Sequence, residues 1–222
     1  MSVRRNVIYI EARGTSFTTY DITYYFEYYY LIRVYMEKVL ITGTGRSGTT
    51  FLIKLFSFLG FDTGYTRNNY HQSISANCNS GMERGYRDDY YILKSPTFIL
   101  DIEQIIEDTS IAIKNVIIPI RDLEKSAESR AGQPSGAAGG LWHAHDVPSQ
   151  IEFYKNALIN YLIISTKHDL NTTFLDFDRM VSDKRYLFNK VKSILDEKNV
   201  TFEAFSIVYD EVSATSRPAK TS

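Results

Sequence analysis

The stretch Val39-Leu40-Ile41-Thr42-Gly43-Thr44-Gly45-Arg46-Ser47-Gly48-Thr49-Thr50 joins three kinds of sequence in twelve residues. Val39 to Thr42 is a short, apolar and partly β-branched run of the type that forms a buried strand. Gly43, Gly45 and Gly48 then punctuate a turn. Thr49 to Gly60 (TTFLIKLFSFLG) is a helix-length apolar segment with a glycine placed to stop it. A strand that turns through glycines into a helix aims the free N–H groups of the first helical turn into one concavity. The helix macrodipole adds partial positive charge there, so the stretch predicts an anion site. Thr49 and Thr50 supply hydroxyl donors.

Working outward, strands and helices alternate. Tyr91 to Leu93 and Val116 to Ile120 read as further short strands, and Thr172 to Phe177 as a fourth. Helical patterns fill 97–108, 122–130 with Asp122 as N-cap, 149–168, 183–198 and 201–212. Residues 62–90 are polar and loop-like, and 131–148 form a long glycine-rich loop. This alternation predicts an α/β fold, a three-layer sandwich with a mostly parallel central sheet. Ligands of such sheets bind beyond the carboxyl ends of the strands. Gly43, Lys94 and Arg121 all fall at such ends.

Composition sets the outer bounds. The chain has 222 residues, 44% hydrophobic and 23% charged, with a net charge of −1. That is ordinary globular usage, with no global basic field to argue for nucleic acid. No apolar run approaches the roughly 20 residues of a membrane-spanning helix. One cysteine, Cys78, excludes an intramolecular disulfide and fits a reducing, cytoplasmic setting. Glu11 and Arg13 interrupt the first apolar stretch too early for a secretory signal. Eight of the 17 tyrosines precede Met36, and that region has neither helical nor strand period. The expected division is an N-terminal extension over 1–35, a single domain over 36–212 and a tail over 213–222. Oligomeric state is not readable.

Against the NTPase signature G-x-x-x-x-G-K-[ST], Gly43, Gly48 and Thr50 match, but Thr49 stands in place of the lysine that serves the β/γ-phosphates. Arg46 supplies a cation within the loop instead. The run Arg46-Ser47-Gly48-Thr49-Thr50 after a strand resembles the 5′-phosphosulfate loop of the sulfotransferases that use 3′-phosphoadenosine 5′-phosphosulfate (PAPS). A second likeness is Arg121 at a strand end with Ser129 eight residues on, the family's pattern for the cofactor 3′-phosphate. A third is TTFLDF followed by FDRMVSD, similar to a late segment of the family. The likeness spans roughly 39–200 and resembles a short bacterial or viral type of member. It implies a P-loop type of nucleotide-binding fold. It also implies PAPS held by Gly45, Arg46, Ser47, Gly48, Thr49, Thr50, Arg121 and Ser129, and transfer of a sulfuryl group to a hydroxyl or amine.

Two remote anionic groups on one cofactor need two anion sites, and the loop and the Arg121–Ser129 pair are the candidates. Ser126 shares a helical face with Ser129 and is a further donor. Sulfuryl transfer, like phosphoryl transfer, calls for cations matched to the transition state, and Arg46 and Lys94 are the candidates. The general base is not marked. Ser95-Pro96-Thr97 follow Lys94 where some relatives carry histidine, Leu93 precedes it where others carry glutamate, and Tyr65 and Thr66 occupy a third usual place. Glu83 and then His71 are the candidates from the 62–90 loop. The 131–148 loop is a candidate lid, with Gly139-Gly140 as hinge and Leu141-Trp142 as cover. His143-x-His145-Asp146 lacks further ligands at metal spacing, so no metal is expected. A small polar or carbohydrate acceptor is the expected partner. The competing readings are a P-loop kinase of a small molecule or nucleotide, and a nucleotide-binding module without activity.

Overall fold

The computed structural model describes residues 6–12, 30–75, 80–133 and 139–216. Cys78, most of residues 1–35, part of the glycine-rich loop and the end of the tail lie outside the described residues.

The fold is α/β, with four parallel strands at its centre and helices on both faces. Strand β2 (Tyr30–Ile41) carries the glycine loop at its carboxyl end. It pairs in parallel with β3 (Ile92–Lys94) on one side and β4 (Ile111–Ile120) on the other, and β4 pairs in parallel with β5 (Thr172–Asp176). Strand β1 (Asn6–Ala12) adds an antiparallel partner to the first half of β2, from Asn6 opposite Met36 to Ala12 opposite Tyr30. Strand β2 therefore begins earlier than its apolar core at 39–42 announces, and residues 30–35 continue it without a break. The register shifts between Lys38 and Val39 against β4. Beyond that bulge Val39, Leu40 and Ile41 lie opposite Ile92, Leu93 and Lys94.

Alternation along the central strands divides the core in two. Val39, Ile41, Ile92, Ile117 and Leu175 face one way, onto α1 (Thr49–Phe58) and the C-terminal helices. Leu40, Leu93, Val116 and Ile118 face the other, onto α2 (Phe98–Glu107) and α4 (Val147–Lys167). This is the period-2 pattern of a sheet buried on both faces. Helix α1 is buried at every position but Thr50, as a helix apolar on all sides but for Lys54 and a few hydroxyls requires. Asp122 caps α3 (Leu123–Ala131) by accepting from the Lys125 N–H at 2.8 Å, as expected. Helix α4 starts at Val147 because Asp146 and Ser149 form a capping box there.

Three segments differ from the expected pattern. Asp176 ends β5 and caps a short helix, α5 (Phe177–Ser182), which the run FDRMVSD did not announce. The expected helix at 183–198 is three pieces: α6 (Lys184–Lys190), α7 (Lys192–Leu195) and a 3₁₀ turn over Asp196–Lys198. Helix α8 (Phe202–Ser216) packs against α1 and runs past Val212, where the tail was expected to begin.

Among the described residues, no helix is long and apolar enough to cross a membrane. From β2 the chain passes to β3 on one side, then back across β2 to β4 on the other. The carboxyl end of β2 is thus a switch point of the sheet, where a crevice opens between outgoing loops.

The Tyr161 hydroxyl shares a 2.7 Å hydrogen bond with Thr172 Oγ1 beneath α4, and burial pushes its pKa up to about 12. Tyr161→Phe removes that bond alone. The expected cost is about 1 kcal/mol, read as a fall in Tm of roughly 2–4 °C, with the fold intact by circular dichroism.

Candidate functional site

A cleft of about 870 Å³ opens at the carboxyl ends of the parallel strands, at the glycine loop. Gly45 (φ 76°), Arg46 (φ 56°) and Gly48 (φ 87°) all adopt left-handed backbone. Gly48 is the residue that precedes α1, so the turn delivers the first N–H groups of the helix to the cleft. Space forbids side chains here as strictly as torsion does. A Cβ on Gly48 would sit 2.5 Å from Met180 Cε and 3.0 Å from the Phe177 ring, and one on Gly45 would strike the Arg130 guanidinium.

Arg46 has no glycine freedom, and a left-handed residue of its kind costs about 1–2 kcal/mol. Its neighbours hold it there. Its Nε donates to Ser129 Oγ at 3.0 Å, and its carbonyl accepts from Arg121 at 3.1 Å. Arg121 in turn lies 4.9 Å from the Phe177 ring centre. The structure thus brings Arg46, Arg121 and Ser129 into direct contact. The two anion sites expected from the sequence share a wall, and Arg46 leans toward Ser129.

Arg130 belongs to the same group, although sequence reasoning passed over it. It is 8% exposed, packs against Gly45, lies 5.3 Å from the Trp142 ring centre and donates to the Gly140 carbonyl. Its Nε has no hydrogen-bond partner among the described residues. Burial raises the pKa of the adjacent Tyr154 hydroxyl, and the nearby Arg130 and Arg46 oppose that rise. A guanidinium on the wall of a cleft is a candidate anion ligand. Ser126, four residues earlier on α3, is fully buried, and its hydroxyl has no hydrogen-bond partner among the described residues.

On the other flank, Lys94 and Glu83 form an ion pair of 3.1 Å, and Lys94 also donates to the Gly81 carbonyl at 3.0 Å. Lys94 is 2% exposed, whereas the Glu83 side chain is half exposed. The loop that carries Glu83 is anchored. The Arg84 N–H donates to the Lys94 carbonyl, Tyr65 donates to the Glu83 carbonyl, and buried Lys38 donates to the carbonyls of Asp88 and Tyr90 at 2.7 Å each. Burial lowers the pKa of Lys38, and nearby aspartates only partly offset that. His71 sits on an exposed 3₁₀ turn, Tyr70–Ser73, outside the cleft lining.

Trp142 also lines the cleft, as a fixed wall rather than a free cover. Its N–H and carbonyl are clasped by the amide of fully buried Gln150, at 2.6 and 3.1 Å, and its ring packs edge-on against Phe153. Residues 134–138 of the expected lid lie outside the described residues. Asp146, from the weak metal pattern, is occupied by its capping bonds.

Five cations line the cleft: Arg46, Lys54, Lys94, Arg121 and Arg130. Glu83 is the one carboxylate beside them among the described residues. In a chain of net charge −1 this is a strong local segregation of positive charge. Comparison with models of known protein families, with characterised proteins and with solved structures returns no match.

Gly45→Ala separates the site from the fold. The new methyl displaces the Arg130 guanidinium, so anion affinity is expected to fall at least tenfold. Because the displaced group is a side-chain end, Tm is expected to fall less than in Gly48→Ala, where the methyl meets Met180 and Phe177 in the core. Equal affinity for 3′,5′-adenosine diphosphate in wild type and Gly45→Ala, by calorimetry, contradicts the assignment of Arg130.

Proposed function

We propose that the protein is a sulfotransferase with a P-loop type of nucleotide site, which takes PAPS as donor and a hydroxyl or amine as acceptor. The observation that carries this reading is the charge of the cleft, five cations to one carboxylate around a glycine loop that lacks the NTPase lysine. The fit to a doubly anionic nucleotide rests on two features of the chain. Gly45, Gly48, Thr49 and Thr50 line the cleft, so the loop and the start of α1 border the space that a phosphate would occupy. The guanidinium of Arg130 lines the same cleft as that of Arg121.

In this reading the loop from Gly45 to Thr50 holds the 5′-phosphosulfate. Arg121, Ser129 and Arg130 hold the 3′-phosphate, and Trp142 offers a face to the base. The chemistry is transfer of the sulfuryl group: the acceptor oxygen or nitrogen bonds to sulfur, its proton leaves to a base, and the sulfate–phosphate bond breaks. Lys94 presents its ammonium on the acceptor flank of the loop, where charge builds on the transferred group. Glu83, at the mouth of the cleft and oriented by Lys94, is the base. Arg46 acts chiefly by fixing the loop, since its Nε is committed to Ser129.

A second reading, a P-loop kinase, draws on one observation. Lys94 is a buried cation at the neighbouring strand end and lines the same cleft, where a displaced lysine could serve an NTP. Titration of the chain with 3′,5′-adenosine diphosphate and with ATP·Mg²⁺ separates the two. Micromolar binding of the first and none of the second is expected; the reverse preference overturns the sulfotransferase reading in favour of the kinase. Binding of the diphosphate with no transfer to any acceptor of a broad panel indicates an inactive module.

Arg121→Ala is expected to weaken 3′,5′-adenosine diphosphate by about 2 kcal/mol or more, roughly 30-fold. Adenosine 5′-phosphate is expected to lose much less, through the Arg46 carbonyl alone. Equal losses for the two nucleotides mean that Arg121 acts only by shaping the loop.

A further inference from the structure

Lys54 is the one cleft cation with no place in the nucleotide site. It is 4% exposed, in the middle of a helix otherwise buried for its apolar character. An ammonium is among the most costly groups to bury, and such groups are normally paired with a carboxylate. Lys54 makes no ion pair among the described residues. Its Nζ donates to Thr215 Oγ1 at 2.7 Å and lies 4.3 Å from the centre of the Tyr70 ring and 5.6 Å from that of Phe58. An ammonium has three N–H donors. One goes to Thr215, one is served by the aromatic face, and the third has no acceptor among the described residues.

Position supports a ligand for that third donor. Thr50 and Lys54 are four residues apart on α1 and share a face, about 6 Å along the helix axis. Both line the cleft. The wall beyond Lys54 is formed by Ser73, Ile74, Val181 and Thr215, from the 62–90 loop, α5 and α8. Arg121, Arg130 and Trp142 are taken by the nucleotide in the reading above, so Lys54 and its neighbours are left for the acceptor.

We propose that Lys54 binds an anionic substituent of the acceptor. The substrate class is a hydroxylated small molecule or sugar that already carries a carboxylate or a sulfate, a few ångströms from the hydroxyl that is modified. Identifying this ligand as the acceptor rests on the sulfuryl-transfer reading above; the anion subsite itself rests only on Lys54 and the cleft.

The test uses matched probes that differ in one charge: methyl β-D-glucuronide against methyl β-D-glucoside, and 4-hydroxyphenylacetate against 4-hydroxyphenylacetamide. Each is titrated calorimetrically into the full chain, alone and with 3′,5′-adenosine diphosphate. At least tenfold tighter binding of the anionic member is expected in one pair or both. Lys54→Met is expected to bring the members within about twofold, and Lys54→Arg to keep the preference. No preference in either pair, or one that survives Lys54→Met, overturns the proposal. Should Lys54→Met fail to fold, a structure of the wild-type complex with the preferred probe decides. The carboxylate is expected within hydrogen-bond distance of Lys54 Nζ, and a carboxylate seated elsewhere overturns the proposal. Failure of the diphosphate to bind, with the Lys54-dependent preference intact, removes the sulfuryl-transfer reading and leaves the anion subsite. Diphosphate binding without the preference does the opposite.

Discussion

The site depends on a loop that has no room for side chains where it turns. Gly45 lies against the guanidinium of Arg130, and Gly48 against Met180 and Phe177. Between them Arg46 holds a left-handed backbone that its own chemistry disfavours. That conformation persists because it is gripped at both ends, by Ser129 on the side chain and by Arg121 on the carbonyl. Strained residues of this kind survive where the surrounding structure over-determines them, and they concentrate at functional sites. Release of the grip would let the loop relax and turn the first N–H groups of α1 away from the cleft. The arginines that face the cleft are therefore also the supports of the backbone that completes it.

Electrostatics gives the same assembly its purpose. Bringing cations together in a concave, partly dry place is unfavourable unless an anion arrives to balance them. Lys94 is balanced internally, by its ion pair with Glu83. Arg130 is sheltered by Trp142 and a carbonyl, Lys54 by Tyr70 and a hydroxyl, and Arg121 by Phe177. Aromatic faces and neutral oxygens steady a cation without neutralising it. The cleft is thus preorganised for negative charge, at the sheet's switch point and on more than one side of the loop.

Much of this was legible in the sequence, and the reasons are specific. Val39 to Thr50 displays its strand, turn and helix because each needs a different residue type in a fixed order. The buried strands announce themselves as apolar runs, since both their faces are covered. The expectation that Gly43, Lys94 and Arg121 meet at one end of a sheet needed only the alternation of elements, and the structure places them there. Contacts across the fold were less visible. Ser129 and Arg121 read as a separate pair, but their contact with Arg46 depends on how α3 returns toward the loop. Arg130 has no motif and looks like any helix-end arginine. Lys54 did carry a signal: one charge in TTFLIKLFSF, where an apolar helix gives it no ordinary reason to be. Helix α5 was hidden because it begins on the residue that ends β5, so strand and cap share Asp176. The break of 183–198 into three pieces has no proline or glycine to mark it.

A crystal structure of the chain with 3′,5′-adenosine diphosphate tests the central claim most directly. The account predicts the 5′-phosphate against the backbone N–H groups from Gly45 to Thr50. It places the 3′-phosphate within hydrogen-bond distance of Arg121 and Arg130, with Arg46 still bonded to Ser129. A nucleotide bound away from the glycine loop, or one whose 3′-phosphate points to solvent, would contradict it.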